Sequence, residues 1–357
     1  MSLQPFDKNG EYKKVLNNYT REVQVDGTDV YTAYAVCGTA LATPKWRAMK
    51  VDENGNKTWA DCGRFTQVAT DLPALTYGNE VPPILLTRAY NFGGSPNGSN
   101  VYADNDSWDE ASWTAETDLP DALRGPAATE IGTDVFRFGG WISSAQITAS
   151  KYNGTAWSAI TDMPSPARAF NDAATLDDVA YIGGGYNGTN RFPDFDAWNL
   201  TSWSSKTNLP SPARSDFVLQ SLDTKIYAIG GAGPGNLADV DVWSGTAWSA
   251  GTSISPARQG GSGSAFGGNI YIAYGYLIGD CDSFDGVTWT AQTNGPLPVR
   301  DNCAGAAVGT TAYSFCGYNR SPATRLLDND GIDETGTWAS YTNCPGTGRY
   351  QTAACST

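Results

Sequence analysis

Residues 156–168 read AWSAITDMPSPAR. The phrase returns as SWSSKTNLPSPAR at 202–214 and as AWSAGTSISPAR at 247–258. A phrase repeated inside one chain points to a repeated structural unit, and two further ladders keep step with it. Tryptophans stand at Trp113, Trp157, Trp203, Trp248, Trp289 and Trp338, a period of about 45 residues. The second ladder is a glycine pair, at Gly93-Gly94, Gly139-Gly140, Gly183-Gly184 and Gly230-Gly231, continued by Tyr274-Gly275 and Cys316-Gly317. The third is the arginine that closes the proline-rich phrase, at Arg124, Arg168, Arg214, Arg258, Arg300 and Arg349. Three ladders in register exclude chance.

Within a unit the arginine is followed by an apolar alternation ending in the glycines, as in Ile226–Gly231, and then by an aromatic five residues before the tryptophan. That aromatic is Trp108, Tyr152, Trp198, Trp243 or Phe284. Period-2 alternation broken by frequent turn residues predicts about four strands per unit. Four strands in about 45 residues make one blade of a β-propeller. A single blade cannot bury its own apolar faces, so the unit repeats until a ring closes. The proline-rich phrase is the crossing between consecutive blades.

The order arginine, Tyr-x-x-Gly-Gly, aromatic, tryptophan resembles the kelch repeat over roughly residues 80–357. The departures are Tyr274 and Cys316 in place of a first glycine, and Asp333 where an aromatic is expected before Trp338. In such a repeat the tryptophan fills the wedge between sheets, and the arginine can bond loop carbonyls of the next blade.

The ring needs a closure. Residues 81–84 read VPPI, and two prolines cannot donate to a sheet ladder, so the first unit lacks a first strand of its own. The C-terminal Arg349–Cys355 is a first strand with nothing after it. The fold class is therefore all-β: a six-bladed propeller over residues 79–357, its first blade completed by the C-terminal strand. A seventh blade is the alternative, because Arg21, Gly38 and Trp59 loosely mimic the ladders. In the six-blade reading residues 1–78 form a separate small β domain. Its phrases VYTAYA (30–35), WRAMK (46–50), TWAD (58–61) and LTY (75–77) resemble a β-rich module of virion-associated proteins of tailed bacteriophages. The resemblance implies a docking domain that attaches the propeller to other virion proteins in an oligomeric assembly. An ordinary accessory β domain is the alternative.

Composition narrows the function classes. The glycine-, proline- and tryptophan-rich usage suits short strands and tight turns. A net charge of −14 opposes binding to nucleic acid or anionic lipid. Residues 1–14 carry no apolar core of a secretion signal, so a soluble chain is expected, with no membrane insertion. The absence of histidine removes imidazole metal sites and Ser-His-Asp triads, and no phosphate-binding glycine loop occurs, so neither a metal nor a cofactor is expected. The seven cysteines lack metal-site spacing and read as mostly buried thiols. A Cys303–Cys316 disulfide across a predicted hairpin stays open. Residues 283–289, SFDGVTW, resemble a sialidase Asp box one residue short, although turn chemistry ahead of a strand accounts for them.

The candidate binding residues lie just after the glycines, in loops that share a face with the crossings. Trp141, Tyr186, Tyr276 and Tyr318 open four of these loops, and Arg191 and Arg320 follow. Aromatic platforms beside guanidinium and amide donors suit sugar or protein recognition; plugs between blades are the structural alternative. The expected function is a non-enzymatic bacteriophage virion protein, tail- or capsid-associated and assembled in the bacterial cytoplasm. Its propeller would bind host-surface glycan or virion protein. A cytoplasmic kelch-type interaction scaffold and a carboxylate-dependent glycan hydrolase are the alternatives.

Overall fold

The computed structural model describes residues 88–357 throughout and, before them, the four strands Thr20–Val25, Asp29–Val36, Lys45–Val51 and Lys57–Arg64. The chain divides into two compact units, Met1–Leu85 and Leu86–Thr357. In the first, the four strands pair consecutively into an antiparallel sheet, with a register shift between Lys45 and Arg47. The phrases VYTAYA, WRAMK and TWAD fall in its second, third and fourth strands. Residues 75–77, the prolines at 82 and 83, and the boundary drawn at 78/79 lie outside the described residues.

The second unit is a six-bladed propeller of four-stranded antiparallel sheets. Blades 2 to 6 run without interruption: Ala127–Ile131 to Trp157–Ala159, Asp172–Leu176 to Trp203–Ser205, Val218–Leu222 to Trp248–Ala250, Ser262–Phe266 to Trp289–Ala291, and Ala304–Val308 to Trp338–Ser340. Blade 1 takes Ala89–Phe92, Asn105–Trp108 and Trp113–Ala115 from the start of the unit and Ala353–Ser356 from the C-terminus. The last strand pairs antiparallel with Ala89–Phe92, Ala353 opposite Phe92 and Ser356 opposite Ala89. The expected closure is thus formed, and the first strands of all six blades adjoin one another around the axis, leaving no place for a seventh.

Small residues dominate these inner strands because their backbones converge. A Cβ on Gly305 would sit 2.5 Å from the carbonyl oxygen of Gly263 in the preceding blade. Farther out, six buried apolar clusters fill the six wedges between neighbouring blades. Each ladder tryptophan packs on one cluster and donates its indole N–H across the wedge to a threonine carbonyl of the preceding blade. The pairs are Trp157 to Thr117, Trp203 to Thr161, Trp248 to Thr207, Trp289 to Thr252, Trp338 to Thr293 and, across the closure, Trp113 to Thr342, all at 2.7–3.0 Å.

The ladder arginines bond carbonyls of the next blade as expected, Arg214 those of Gly230 and Asp239 and Arg258 that of Asp280, but they have a further partner, an aspartate, and one of the six rungs is out of register. Arg168, Arg214, Arg258, Arg300 and Arg349 are buried and pair with Asp196, Asp241, Asp282, Asp330 and Asp106 on the third strands of the blades they lead into, at 2.5–2.8 Å. The sixth position belongs to Leu123, which is fully buried, and not to Arg124. Its carbonyl accepts from Gly94 N–H just as the carbonyl of Arg168 accepts from Gly140. Opposite it, the aspartate is also replaced: Ser150 occupies the matching position on the third strand of blade 2.

Three further expectations shift. The glycine pair of blade 3 is Gly184-Gly185, at φ +59° and +112°, one residue later than Gly183-Gly184. Gly184 needs to be glycine because a Cβ there would lie 2.6 Å from the carbonyl oxygen of Arg214. Ile332, not Asp333, pairs with Trp338 in the aromatic's place, and Asp333 instead accepts turn N–H groups from Thr335 and Thr337. Cys303 and Cys316 are both free; Cys303 bonds the Gly260 carbonyl while Cys316 and Cys344 flank the Asn91 amide. Asp285, in the Asp-box-like stretch, likewise caps its turn by accepting from Val287 and Thr288 N–H.

Candidate recognition face

Two residues past each buried arginine, or past Leu123, the chain turns through a left-handed residue: Gly125, Phe170, Asp216, Gly260, Asn302 and Gln351, with φ between +52° and +66°. Each donates its N–H to the carbonyl of the equivalent residue one blade back. Phe170 bonds Gly125, Asp216 bonds Phe170, Gly260 bonds Asp216, Asn302 bonds Gly260, Gln351 bonds Asn302, and Gly125 bonds Gln351, at 2.6–2.9 Å. The six bonds form a closed circle around the mouth of the central channel. Left-handed backbone is costly for most side chains, so the circle holds non-glycine residues only because the surrounding fold determines them. The side chains at these positions belong to the floor of one face.

The residues between the buried arginine and this circle pair with the first residues of the loops that follow the glycines. Arg124 bridges Trp141, Ala169 bridges Tyr186, Ser215 bridges Ala232 and Asp301 bridges Tyr318. The loop aromatics therefore stand on the same face as the crossings, around the circle, and they gather into two groups.

In the first group, Trp141, Tyr186 and Arg191 line a cavity of about 480 Å³ together with Arg124, Phe170, Gly188, Ser215, Asp216 and Gln351. Trp141 and Phe170 stack at 6.4 Å and 23°, and the Arg124 guanidinium carbon lies 5.8 and 5.5 Å from their centroids. Tyr186 donates its hydroxyl to the Gly188 carbonyl and carries Arg191 at 5.4 Å from its ring. Trp141 and Tyr186 are half-buried and Arg191 is exposed. Asp216 is the carboxylate in this lining; burial pushes its pKa up, while its bond from Ser215 and the charges of Arg191 and Arg124 oppose the rise.

The second group is self-paired. Arg320 lies 4.2 Å from the exposed Tyr276 ring and 5.3 Å from Tyr318, and its guanidinium is held by the buried Asp301 carboxylate. Tyr318 also packs on Tyr350 and beneath Arg325. These three residues brace the blade 5, 6 and 1 sector of the face.

The circle and the inner strands that follow it enclose a cavity of about 100 Å³, lined by Asn171, Asp172, Gln220 and Thr352 together with the six circle residues. Asp172 accepts the N–H of Leu219 from blade 4 and of Ala173, and burial still pushes its carboxyl up to about 7.

Phe170, Asp216 and Gln351 are not among the candidates drawn from the sequence, where Arg124 figures as a rung of the arginine ladder. The signal of the first three is their fixed distance from the buried arginines, which the one-residue slip at Arg124 conceals. No protein-family model matches the chain, and no curated protein matches it.

Proposed function

We propose that the propeller is a carbohydrate-recognition module, non-catalytic and kelch-like in its repeat, whose ligand sits in the cavity between Trp141, Phe170 and Tyr186. The observation that carries this reading is the cavity itself: about 480 Å³, walled by three aromatic rings and edged by guanidinium, amide and carboxyl groups. Aromatic faces take the apolar face of a sugar ring, and planar polar groups at the rim take its hydroxyls. Glycoside hydrolysis ordinarily needs a pair of carboxyl groups flanking the bond, and this lining supplies Asp216 alone, which favours binding over cleavage. The resemblance of residues 1–78 to a phage docking module supports a place on a virion, with the propeller meeting host-surface glycan. Gene neighbours encoding portal, tail or capsid proteins are expected on this reading, and a sugar-catabolic operon would contradict it.

The recognition reading is tested with a glycan array and two variants. Trp141→Ala and Tyr186→Ala are expected to weaken binding by about 1–2 kcal/mol each, or roughly five- to thirtyfold. Their melting temperatures should stay within a few degrees of the parent, because both rings are half-buried at the cavity wall. Binding that survives both substitutions would overturn the assignment.

A further inference from the structure

The cavity's two arginines differ from the other arginines of the same ring in what they face. Five crossings spend their arginine on a buried aspartate. In the crossing into blade 2, Leu123 takes the core position and Arg124 is displaced by one residue onto the face. There its Nη1 bonds the Gln351 side-chain oxygen at 2.6 Å. No carboxylate among the described residues lies within ion-pair distance of it. Arg191 across the cavity is similar: its Nε bonds Ser215 Oγ at 3.2 Å, and no carboxylate among the described residues lies within ion-pair distance of it. Arg320, on the same face, is bound by Asp301. In a chain of net charge −14, two guanidinium groups without a paired acid beside one cavity are a local departure from the molecule's overall sign.

We infer that the cavity between blades 2, 3 and 4 selects sugars that carry a carboxylate, with Arg124 and Arg191 receiving the acid and the Trp141–Phe170 and Tyr186 rings receiving the sugar ring. The inference rests on the recognition reading above and adds the chemical class of the ligand. A guanidinium offers a planar fork of donors that matches a carboxylate, and the rings beneath both arginines keep those forks oriented. Asp216 lines the same cavity and accepts from Ser215, so it can accept a sugar hydroxyl while the arginines take the charge.

The test uses the full chain and a panel of oligosaccharides containing uronic or sialic acid, each beside its methyl ester, with neutral glucans and galactans as a third set. Free acids are expected to bind and esterification to weaken them about tenfold or more, a difference that shrinks as salt is raised. Arg124→Gln and Arg191→Gln should each erase most of the acid-to-ester difference, at unchanged melting temperature, whereas Trp141→Ala should weaken acid and ester alike. Binding of neutral sugars or esters as tight as the acids, insensitive to both arginine substitutions but lost in Trp141→Ala, would overturn the acid inference and leave the recognition reading standing. Absence of binding by any of the three sets would overturn both.

Discussion

Arg214 is fully buried and meets Asp241 at 2.6 Å, an arrangement repeated in five of the six blades. Removing one partner of such a pair strands a charge in the interior, so Arg214→Ala is expected to cost about 3–5 kcal/mol. Blade 2 dispenses with the aspartate and moves the guanidinium to another strand: Leu123 and Ser150 stand at the two positions, and the buried Arg137, opposite Ser150, bonds the Gly139 and Thr148 carbonyls as Arg214 bonds those of Gly230 and Asp239. Reproducing blade 2 here therefore takes three changes, Arg214→Leu, Ala228→Arg and Asp241→Ser, since Ala228 pairs with Asp241 as Arg137 pairs with Ser150. The triple variant should recover a large part of that loss in urea unfolding, and one as unstable as Arg214→Ala alone would refute the equivalence of the six positions. The same pair shows what could be read from the residues. The arginine ladder is visible because arginine closes a conspicuous phrase. Its aspartate partner is not, since a single acidic residue in a short strand resembles any of the 37 carboxylates. The slip at Arg124 was hidden for the opposite reason: an arginine stands close enough to the expected place to satisfy the pattern, and only the backbone bond to the Leu123 carbonyl reveals which residue fills the core.

Strands and blades were more legible than their contacts. Alternation, turn residues and the tryptophan period define the four-stranded units because each reports local geometry. The threonine four residues after every ladder tryptophan was equally visible, yet its role was not, because its carbonyl serves the next blade's indole, about 40 residues away in the chain. Loop aromatics presented the converse difficulty. Their position after the glycines places them on one face, but which become cavity walls and which become bracing depends on the neighbours: Asp301 forms an ion pair with Arg320, whereas Arg191 bonds the Ser215 hydroxyl. Between blades 3 and 4 the Asp172 carboxyl ties the two inner strands through the Leu219 N–H. Its pKa, raised to about 7, exceeds that of an unfolded aspartate, near 3.9, so the folded state holds the proton more tightly. The stability contributed by this group is fully present below about pH 4 and is lost as pH rises through about 7. Unfolding free energy followed across that window should decline less steeply in Asp172→Asn than in the parent. Parallel profiles would show that the group titrates as an ordinary surface carboxylate.

At the scale of the molecule, the central claim is that the propeller is one closed ring of six blades whose last strand completes the first. Every device that crosses between blades closes with it: the Trp113 bond to Thr342, the Gly317 bond to the Arg349 carbonyl, and the circle of amides from Gly125 to Gln351. The cavity between Trp141, Phe170 and Tyr186 depends on that circle, since Phe170, Asp216 and Gln351 belong to both. Native-state hydrogen exchange of Gly125, Phe170, Asp216, Gly260, Asn302 and Gln351 tests the claim most directly, comparing the full chain with one lacking residues 353–357. A closed ring predicts slow and closely similar exchange at all six amides in the full chain, opening only with the propeller as a whole, and collective loss of protection in the truncated one. Fast exchange at Gly125 and Gln351 in the full chain, or protection at all six that survives the truncation, would contradict it.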